Sequence, residues 1–262
     1  MRVCVIGNSH IAALKLGWDA AVTADPAAWA DVQPTFFGAP SDGMRHVTLA
    51  DGCILPKRKD IAEHFQRMSG GQDRIRLAEY DAFFLVGLNV SIKRILRFYK
   101  THAWVGLGAD AEKVRVHPKF MEEFLTERYG STRLVELAAL IKSACAAPVV
   151  AMAEPHWASW IRHGQEGTAD YGWDKAIAAG DGVQIGEAFR QTVAAALAPY
   201  AVLVPQPPET IEDGIMTAAA YNKDASRLIS GEGGGTDAAH MNAAFGQAIW
   251  PQVRQVLQAQ LF

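Results

Sequence analysis

The chain has 262 residues, of which 50% are hydrophobic and 20% are charged. This composition is typical of a globular protein with a sizeable core and excludes a disordered chain. The formal charge is −3 and the longest basic run is Lys57-Arg58-Lys59, so we expect no nucleic acid partner. The longest apolar stretch, 193–205, contains Pro199 and falls well short of the roughly 20 residues that cross a bilayer, so we expect no membrane span.

The amino terminus enters an apolar run at Val3 without the charged and longer apolar segments of a signal peptide, so we expect a cytoplasmic protein. Cys4, Cys53 and Cys145 are widely spaced and lack a partner at zinc-ligand spacing. We therefore expect ordinary thiols, no metal and no cofactor. The length corresponds to about 1.7 average domains, but no change in composition marks a boundary, and we expect one domain over residues 1–262.

Short apolar runs bounded by turn residues alternate with helical patterns along the chain. This alternation predicts an α/β fold, with a parallel sheet and helices on both of its faces. The predicted strands are residues 3–6, 35–37, 82–86, 148–152 and 201–204. Helical spacing of apolar residues predicts helices after the first strand, at 134–147 and at the carboxyl terminus, where Met241 and Ile249 share one face.

Two insertions interrupt the alternation. Residues 47–55 predict a hairpin, because Asp51-Gly52 supplies the positive φ angles that a two-residue hairpin turn requires. The second insertion, 156–182, is rich in aromatic residues. They are Trp157, Trp160, Tyr171 and Trp173. They either form a lip that contacts substrate, for which Trp157 and Trp160 are the candidates, or pack the insertion onto the body of the protein.

The turn after the first strand is the first place where chemistry is expected. Ligands of open α/β sheets bind outside the carboxyl ends of the strands, and Ser9 lies there, just before a predicted helix. Free backbone N–H groups at that helix end favour developing negative charge. Ser9 is therefore a candidate nucleophile, or else a simple helix cap.

Asp237 and His240 lie at the predicted start of the last helix. Their three-residue spacing allows the carboxylate to orient the imidazole. A serine nucleophile needs a base within hydrogen-bond reach, and the base works better when a third group fixes its tautomer. Together with Ser9, the pair predicts a catalytic triad.

Donors to an oxyanion are the remaining requirement. Asn89, after the third strand, offers a side-chain amide, and Ser9 offers its backbone N–H. A glycine after the second strand, Gly38 or Gly43, offers another backbone N–H.

This ordered set resembles the four blocks of the SGNH (GDSL-type) hydrolase superfamily. The blocks are Gly7-Asn8-Ser9, the glycine after the second strand, Gly87-Leu88-Asn89 and Asp237-Ala-Ala-His240. The resemblance implies a three-layer α/β/α, flavodoxin-like fold with a five-stranded parallel sheet and metal-free ester chemistry. It implies Ser9 as nucleophile, His240 as base and then acid, Asp237 as its partner, and Ser9, Asn89 and the second-block glycine as the oxyanion hole. For that glycine we favour Gly38, directly after the strand, over Gly43 in the turn-like Ser41-Asp42-Gly43.

The sequence departs from the family pattern at three positions. Asn8 replaces the usual Asp, His10 replaces Leu, and Val90 follows Asn89 where Asp is usual. The reacting groups are all retained. The expected substrate is a small-molecule or glycan ester, and an O-acylated carbohydrate is one candidate.

Other folds and functions fit the sequence less well. An α/β-hydrolase elbow would need Gly at Ile11, and a dinucleotide-binding turn would need a second glycine at Ser9. Within the preferred fold, hydrolysis of an acyl-Ser9 intermediate is the leading function. The alternatives are acyl transfer from the same site to a glycan acceptor and glycan binding by a chain with a relict site.

Overall fold

A computed structural model describes residues 1–104, 106–108, 112–163, 171–227, 231–232 and 237–261. Its centre is a parallel sheet of five strands in the order β5-β4-β3-β1-β2. The strands are β1 (Arg2–Gly7), β2 (Gln33–Gly38), β3 (Ala82–Val86), β4 (Val149–Met152) and β5 (Val202–Leu203). The order 2-1-3-4-5 is that of flavodoxin-like doubly wound sheets.

Helices cover both faces of this sheet. They are α1 (Ile11–Ala24), α2 (Lys59–Ser69), α3 (Lys93–Tyr99), α4 (Pro118–Gly130), α5 (Arg133–Ala144), α6 (Trp173–Ala178), α7 (Gly182–Leu197) and α8 (Ala243–Leu261). Helices α1 and α8 pack into one core, and the buried side chains of α2 to α7 contribute to the other. None of the helices in the described ranges is long and apolar enough to cross a membrane.

The alternation of side chains along a strand explains the two cores. In β1, Val3 and Val5 belong to the core under α1 and α8, whereas Cys4 and Ile6 belong to the opposite core. Successive side chains of a strand point to opposite faces, so a strand buried on both faces is apolar throughout. The arrangement is compatible with three α/β/α layers, and the predicted five-stranded parallel sheet is confirmed.

The predicted ends of some elements are wrong by a few residues. Strand β2 begins at Gln33, earlier than the apolar run suggests, because backbone pairing with β1 extends to Arg2. Helix α5 ends at Ala144, because Cys145 has an extended backbone with φ −150°.

The predicted hairpin is confirmed and belongs to a small sheet. Val47–Ala50 pairs antiparallel with Cys53–Pro56, and Asp51 and Gly52 have φ angles of 49° and 69°. A third strand, Ile75–Arg76, is too short to leave a periodic pattern in the sequence. Further short strands pair His102–Ala103 with Val114–Arg115, Ile211–Glu212 with Met216–Thr217, and Ser226–Arg227 with Gly231–Glu232.

The aromatic insertion packs onto the body of the protein. Trp173 is buried, and Trp157, Trp160 and Tyr171 are partly buried against the same core. The rings of Trp157 and Tyr171 lie 5.4 Å and 5.0 Å from that of Trp173. Residues 164–170 of the insertion lie outside the described residues.

Candidate active site

Ser9 and His240 meet at the carboxyl edge of the sheet. Ser9 lies in the turn between β1 and α1, residues 7–10, which we call the nucleophile turn. Its Oγ lies 2.7 Å from Nε2 of His240, although the two residues are 231 positions apart in sequence. The Ser9 hydroxyl is therefore engaged by a candidate base, as the triad hypothesis requires.

Asp237 holds the other side of the His240 ring. Nδ1 of His240 lies 2.9 Å and 3.1 Å from the two carboxylate oxygens of Asp237. Because a carboxylate accepts hydrogen bonds, the proton is assigned to Nδ1, which leaves a lone pair on Nε2 for the Ser9 proton. The side chain of Asp237 is 4% exposed and that of His240 is 16% exposed, so little water competes for these contacts.

Both residues lie in a loop rather than in a helix, and here the sequence prediction is wrong. Residues 237–242, which we call the His-Asp loop, precede α8, whose first residue is Ala243. Oδ1 of Asp237 accepts the backbone N–H groups of Ala239 and His240 at 3.1 Å and 3.3 Å. The Asp237 side chain thus bonds to the local backbone, a common alternative to helix for Asp.

Asn222 fixes the His-Asp loop from outside. Its Nδ2 donates to the carbonyl oxygens of Asp237 and His240 at 2.7 Å and 2.6 Å. Its Oδ1 accepts the indole N–H of Trp160 at 2.6 Å. The backbone N–H of Ala158 donates to the Ala238 carbonyl at 2.9 Å. Sequence reasoning missed Asn222, because no local motif marks a residue that acts through its contacts with a distant loop.

The nucleophile turn is held by close packing. A Cβ on Gly7 would lie 2.4 Å from Cγ2 of Ile11 and 2.7 Å from the Val86 carbonyl oxygen. Asn8, which is 5% exposed, accepts the His10 backbone N–H on its Oδ1 at 3.4 Å. Space at this turn is so limited that glycine is required at position 7.

The turn after β3 supplies the candidate oxyanion donor. Gly87, Leu88 and Asn89 have φ angles of 74°, 49° and 69°, three consecutive left-handed residues. A Cβ on Gly87 would lie 2.5 Å from Oδ1 of Asn8, so the two turns approach closely. The amide of Asn89 donates to the carboxylate of Asp42, and an oxyanion would have to replace that acceptor.

The two candidate glycines differ in their contacts. The backbone N–H of Gly43 donates to the Pro40 carbonyl at 2.9 Å, so it is already used in a turn. Gly38 is the last residue of β2 and pairs with Gly7 at the end of β1. This placement favours Gly38, whose oxyanion role stays a prediction.

His10 stacks on His240. The ring centroids lie 5.0 Å apart with an interplanar angle of 24°. Burial, with smaller contributions from His240 and Lys93, lowers the pKa of His10 to about 3. His10 is therefore uncharged near neutral pH and does not oppose the appearance of positive charge on His240.

Glu154 is a site residue that sequence reasoning missed. It lies two residues after the end of β4, and its Oε1 lies 3.5 Å from Nδ2 of Asn8 and 3.9 Å from Nε2 of His10. Burial raises the pKa of Glu154, against the lowering effects of Lys93 and of hydrogen bonds from neighbouring groups. Its position outside the carboxyl end of a strand was the available signal.

The two tryptophans named as substrate contacts have different surroundings. The indole N–H of Trp160 is used by Asn222. The Lys93 ammonium lies over the ring of Trp157, 4.5 Å from its centroid, and Trp157 remains the better candidate for a substrate contact.

Among the residues that the structure describes, no group of three His, Cys, Asp or Glu side chains could hold a metal ion.

Two cavities adjoin Glu154. One, of about 350 Å³, is mainly apolar and is lined by residues that include His156, Phe189 and Val204. Burial lowers the pKa of His156 to about 4. The other, of about 410 Å³, is lined mainly by polar and basic side chains and includes Asn89.

The Ser9–His240–Asp237 contacts can activate a hydroxyl group, and Asn89 lies on the neighbouring turn. In comparisons with known proteins, no family model, curated protein or solved structure matches the chain.

Proposed function

We propose that the chain is a serine hydrolase of the SGNH (GDSL) type that cleaves an ester through an acyl-Ser9 intermediate. The observation that carries this proposal is the 2.7 Å contact between Ser9 Oγ and His240 Nε2. It is supported by the carboxylate behind His240 and by the 2-1-3-4-5 strand order.

In the first half of the reaction, Oγ of Ser9 attacks the ester carbonyl carbon while its proton moves to Nε2 of His240. The imidazolium is stabilised by Asp237, 2.9 Å from Nδ1. His240 then gives the proton to the leaving alcohol, and the acyl group stays on Ser9. In the second half, His240 takes a proton from water, the resulting nucleophile attacks the acyl carbon, and the proton returns to Ser9 as the acid leaves.

The oxyanion is assigned to donors on three neighbouring segments: the turn after β3, the nucleophile turn and the end of β2. The Asn89 amide exchanges the Asp42 carboxylate for the reacting oxygen, and backbone N–H groups at Ser9 and Gly38 complete the set. A single oxyanion donor is worth about 2.7 to 4 kcal/mol in the transition state, and Asn89 acts as one once its amide has released Asp42.

The test is active-site labelling with a fluorophosphonate probe. The wild-type protein should be labelled on Ser9, and Ser9→Ala should lose both the label and turnover of p-nitrophenyl acetate. Ser143→Ala is a matched control, because Ser143 is exposed on α5 and its hydroxyl bonds to the Leu140 carbonyl. Turnover that persists in Ser9→Ala would show that another group is the nucleophile.

Hydrolysis and acyl transfer share the acyl-Ser9 intermediate and differ in what resolves it. Product analysis in the presence of a sugar acceptor separates them. Free acid as the sole acyl product supports hydrolysis, and acylated sugar supports transfer.

A further inference from the structure

A basic pocket lies beside the candidate oxyanion donor. The cavity has a volume of about 410 Å³, and its lining in the described part of the chain includes four basic side chains and one carboxylate. Its lining residues are Asn89, Ser91, Lys93, Arg94, Arg97, Arg128, Glu154 and Tyr171. We call this cavity the basic pocket.

The basic pocket and the Ser9 site share residues. Asn89 lines the pocket, and Nη2 of Arg94 donates to its backbone carbonyl at 3.2 Å. Glu154 also lines the pocket, and its Oε1 lies 3.5 Å from Nδ2 of Asn8 in the nucleophile turn. A molecule in this pocket therefore borders the place where an ester carbonyl would meet Asn89.

The basic side chains of the pocket lack ion-pair partners among the residues that the structure describes. Within the described ranges, none of Lys93, Arg94, Arg97 and Arg128 forms an ion pair within 4.0 Å. Elsewhere on the surface, arginines do pair, as Arg58 does with Asp60. The carboxylate among the described lining residues is that of Glu154, and burial raises its pKa against the lowering effects of Lys93 and of its hydrogen bonds.

Aromatic rings position two of the cations. The Arg97 guanidinium lies 4.7 Å from the centroid of the Tyr171 ring, and its Nη2 donates to the Tyr171 hydroxyl at 3.3 Å. The Lys93 ammonium lies 4.5 Å from the Trp157 ring centroid. Such contacts orient cations without neutralising them, so their charge remains available to a ligand.

We propose that the substrate ester carries an oxyanion group, namely a carboxylate, sulfate or phosphate. This group binds in the basic pocket while the acyl carbon of the ester faces Ser9. Guanidinium groups bind these planar or tetrahedral oxyanions through paired N–H donors. This inference rests on the proposed function, since it names the substrate class of the same site.

The first experiment compares esters that differ in charge. On the alcohol side, 4-acetoxybenzoate is compared with its neutral methyl ester, and 4-acetoxyphenyl sulfate tests a second oxyanion. On the acyl side, mono-4-nitrophenyl succinate is compared with 4-nitrophenyl methyl succinate. We expect the wild-type kcat/KM to favour the charged member of at least one pair, and the preferred pair identifies the side of the ester that enters the pocket.

Variants assign the preference to the pocket. Arg97→Gln and Arg128→Gln should each lower the charged-to-neutral ratio of kcat/KM by about 10- to 100-fold, the scale of one lost charged hydrogen-bonding partner. Arg76→Gln is the matched control, because Arg76 is an exposed arginine of the small sheet and its loss changes the net charge equally. It should leave the ratio unchanged.

A binding experiment separates failure of this inference from failure of the proposed function. Ser9→Ala protein is titrated with 4-acetoxybenzoate and with its methyl ester by calorimetry, where no turnover is needed. If the charged probe binds more tightly than the neutral one, and the double variant Ser9→Ala/Arg97→Gln loses this difference, the basic pocket is supported. This conclusion holds even if Ser9 is not labelled by fluorophosphonate. Equal binding and equal kcat/KM for both members of every pair would overturn the inference, while labelling of Ser9 would leave the hydrolase proposal intact.

Discussion

The two halves of the candidate site are held in place by different forces. The nucleophile turn joins the buried strand β1 to helix α1, and close packing around Gly7 fixes its path. The His-Asp loop lies outside helices and strands and is fixed by hydrogen bonds, above all those from Asn222. Polar substitutions should therefore act mainly on the loop, while the turn should keep its shape when a polar side chain is removed.

The largest expected effect comes from the loop. Asp237→Asn should lower kcat by about 10⁴-fold, because an amide can donate to His240 Nδ1 and so favour the wrong tautomer. Steady-state kinetics with p-nitrophenyl acetate measures the loss. Asp174→Asn, an exposed position in the first turn of α6, is the control. A rate within a few-fold of wild type would remove Asp237 from the mechanism.

The second effect tests the sheet side of the site. Asn89→Gly removes the candidate oxyanion donor and relieves the left-handed backbone, whose φ is 69°. We expect kcat to fall by about 10²- to 10³-fold, with a free energy of unfolding close to that of wild type. Asn89→Ala should show the same kinetic loss with lower stability, because alanine disfavours this conformation. An unchanged rate in both variants would move the oxyanion role elsewhere.

Some residues of the candidate site could be predicted from the sequence, and others could not. Ser9, Asn89, Asp237 and His240 were predicted because each stands in a short motif, and two of them, Ser9 and Asn89, follow a predicted strand. Asn222 and Trp160 act through hydrogen bonds to a loop that is distant in sequence, and no spacing rule reports such a partner. The start of α8 was misplaced for a related reason, since the Asp237 carbonyl that would begin a helix is taken by Asn222.

The sheet was more predictable than its small additions. Burial on both faces makes β1 and β3 continuous apolar runs, which turn residues delimit clearly. Two-residue strands such as Ile75–Arg76 carry no period at all. The basic pocket escaped prediction because Arg128 on α4 joins Lys93, Arg94 and Arg97 of α3 only through tertiary packing.

The third effect returns to the loop. Asn222→Ala leaves the carbonyls of Asp237 and His240 without this donor, and we expect kcat to fall about tenfold, equivalent to about 1.4 kcal/mol. Asn222→Asp sharpens the test, because it keeps the acceptor for Trp160 and loses the amide donor. Kinetics and urea unfolding of both variants separate positioning from stability. Wild-type kcat in both would mean that the loop is held without Asn222.

The smallest expected effect is on stability, and it compares two buried histidines through its dependence on pH. The two histidines are His10 in the nucleophile turn, with its pKa lowered to about 3, and His156 in the lining of the apolar cavity, with its pKa lowered to about 4. In the unfolded chain a histidine has a pKa near 6.5. Between pH 6.5 and 4 the unfolded state thus binds more protons than the folded state, so stability falls as the pH falls.

Each histidine should contribute about 1 kcal/mol per pH unit to this slope. Glu154 acts in the opposite direction, because burial raises its pKa and its protonated form favours the folded state as the pH falls. Urea unfolding at pH 6 and pH 5 measures the net slope, and His10→Phe and His156→Phe should each reduce it by one histidine's share. If only one variant reduces the slope, the other histidine already binds a proton in the folded protein. That result would place water or a hydrogen-bond acceptor beside that histidine alone.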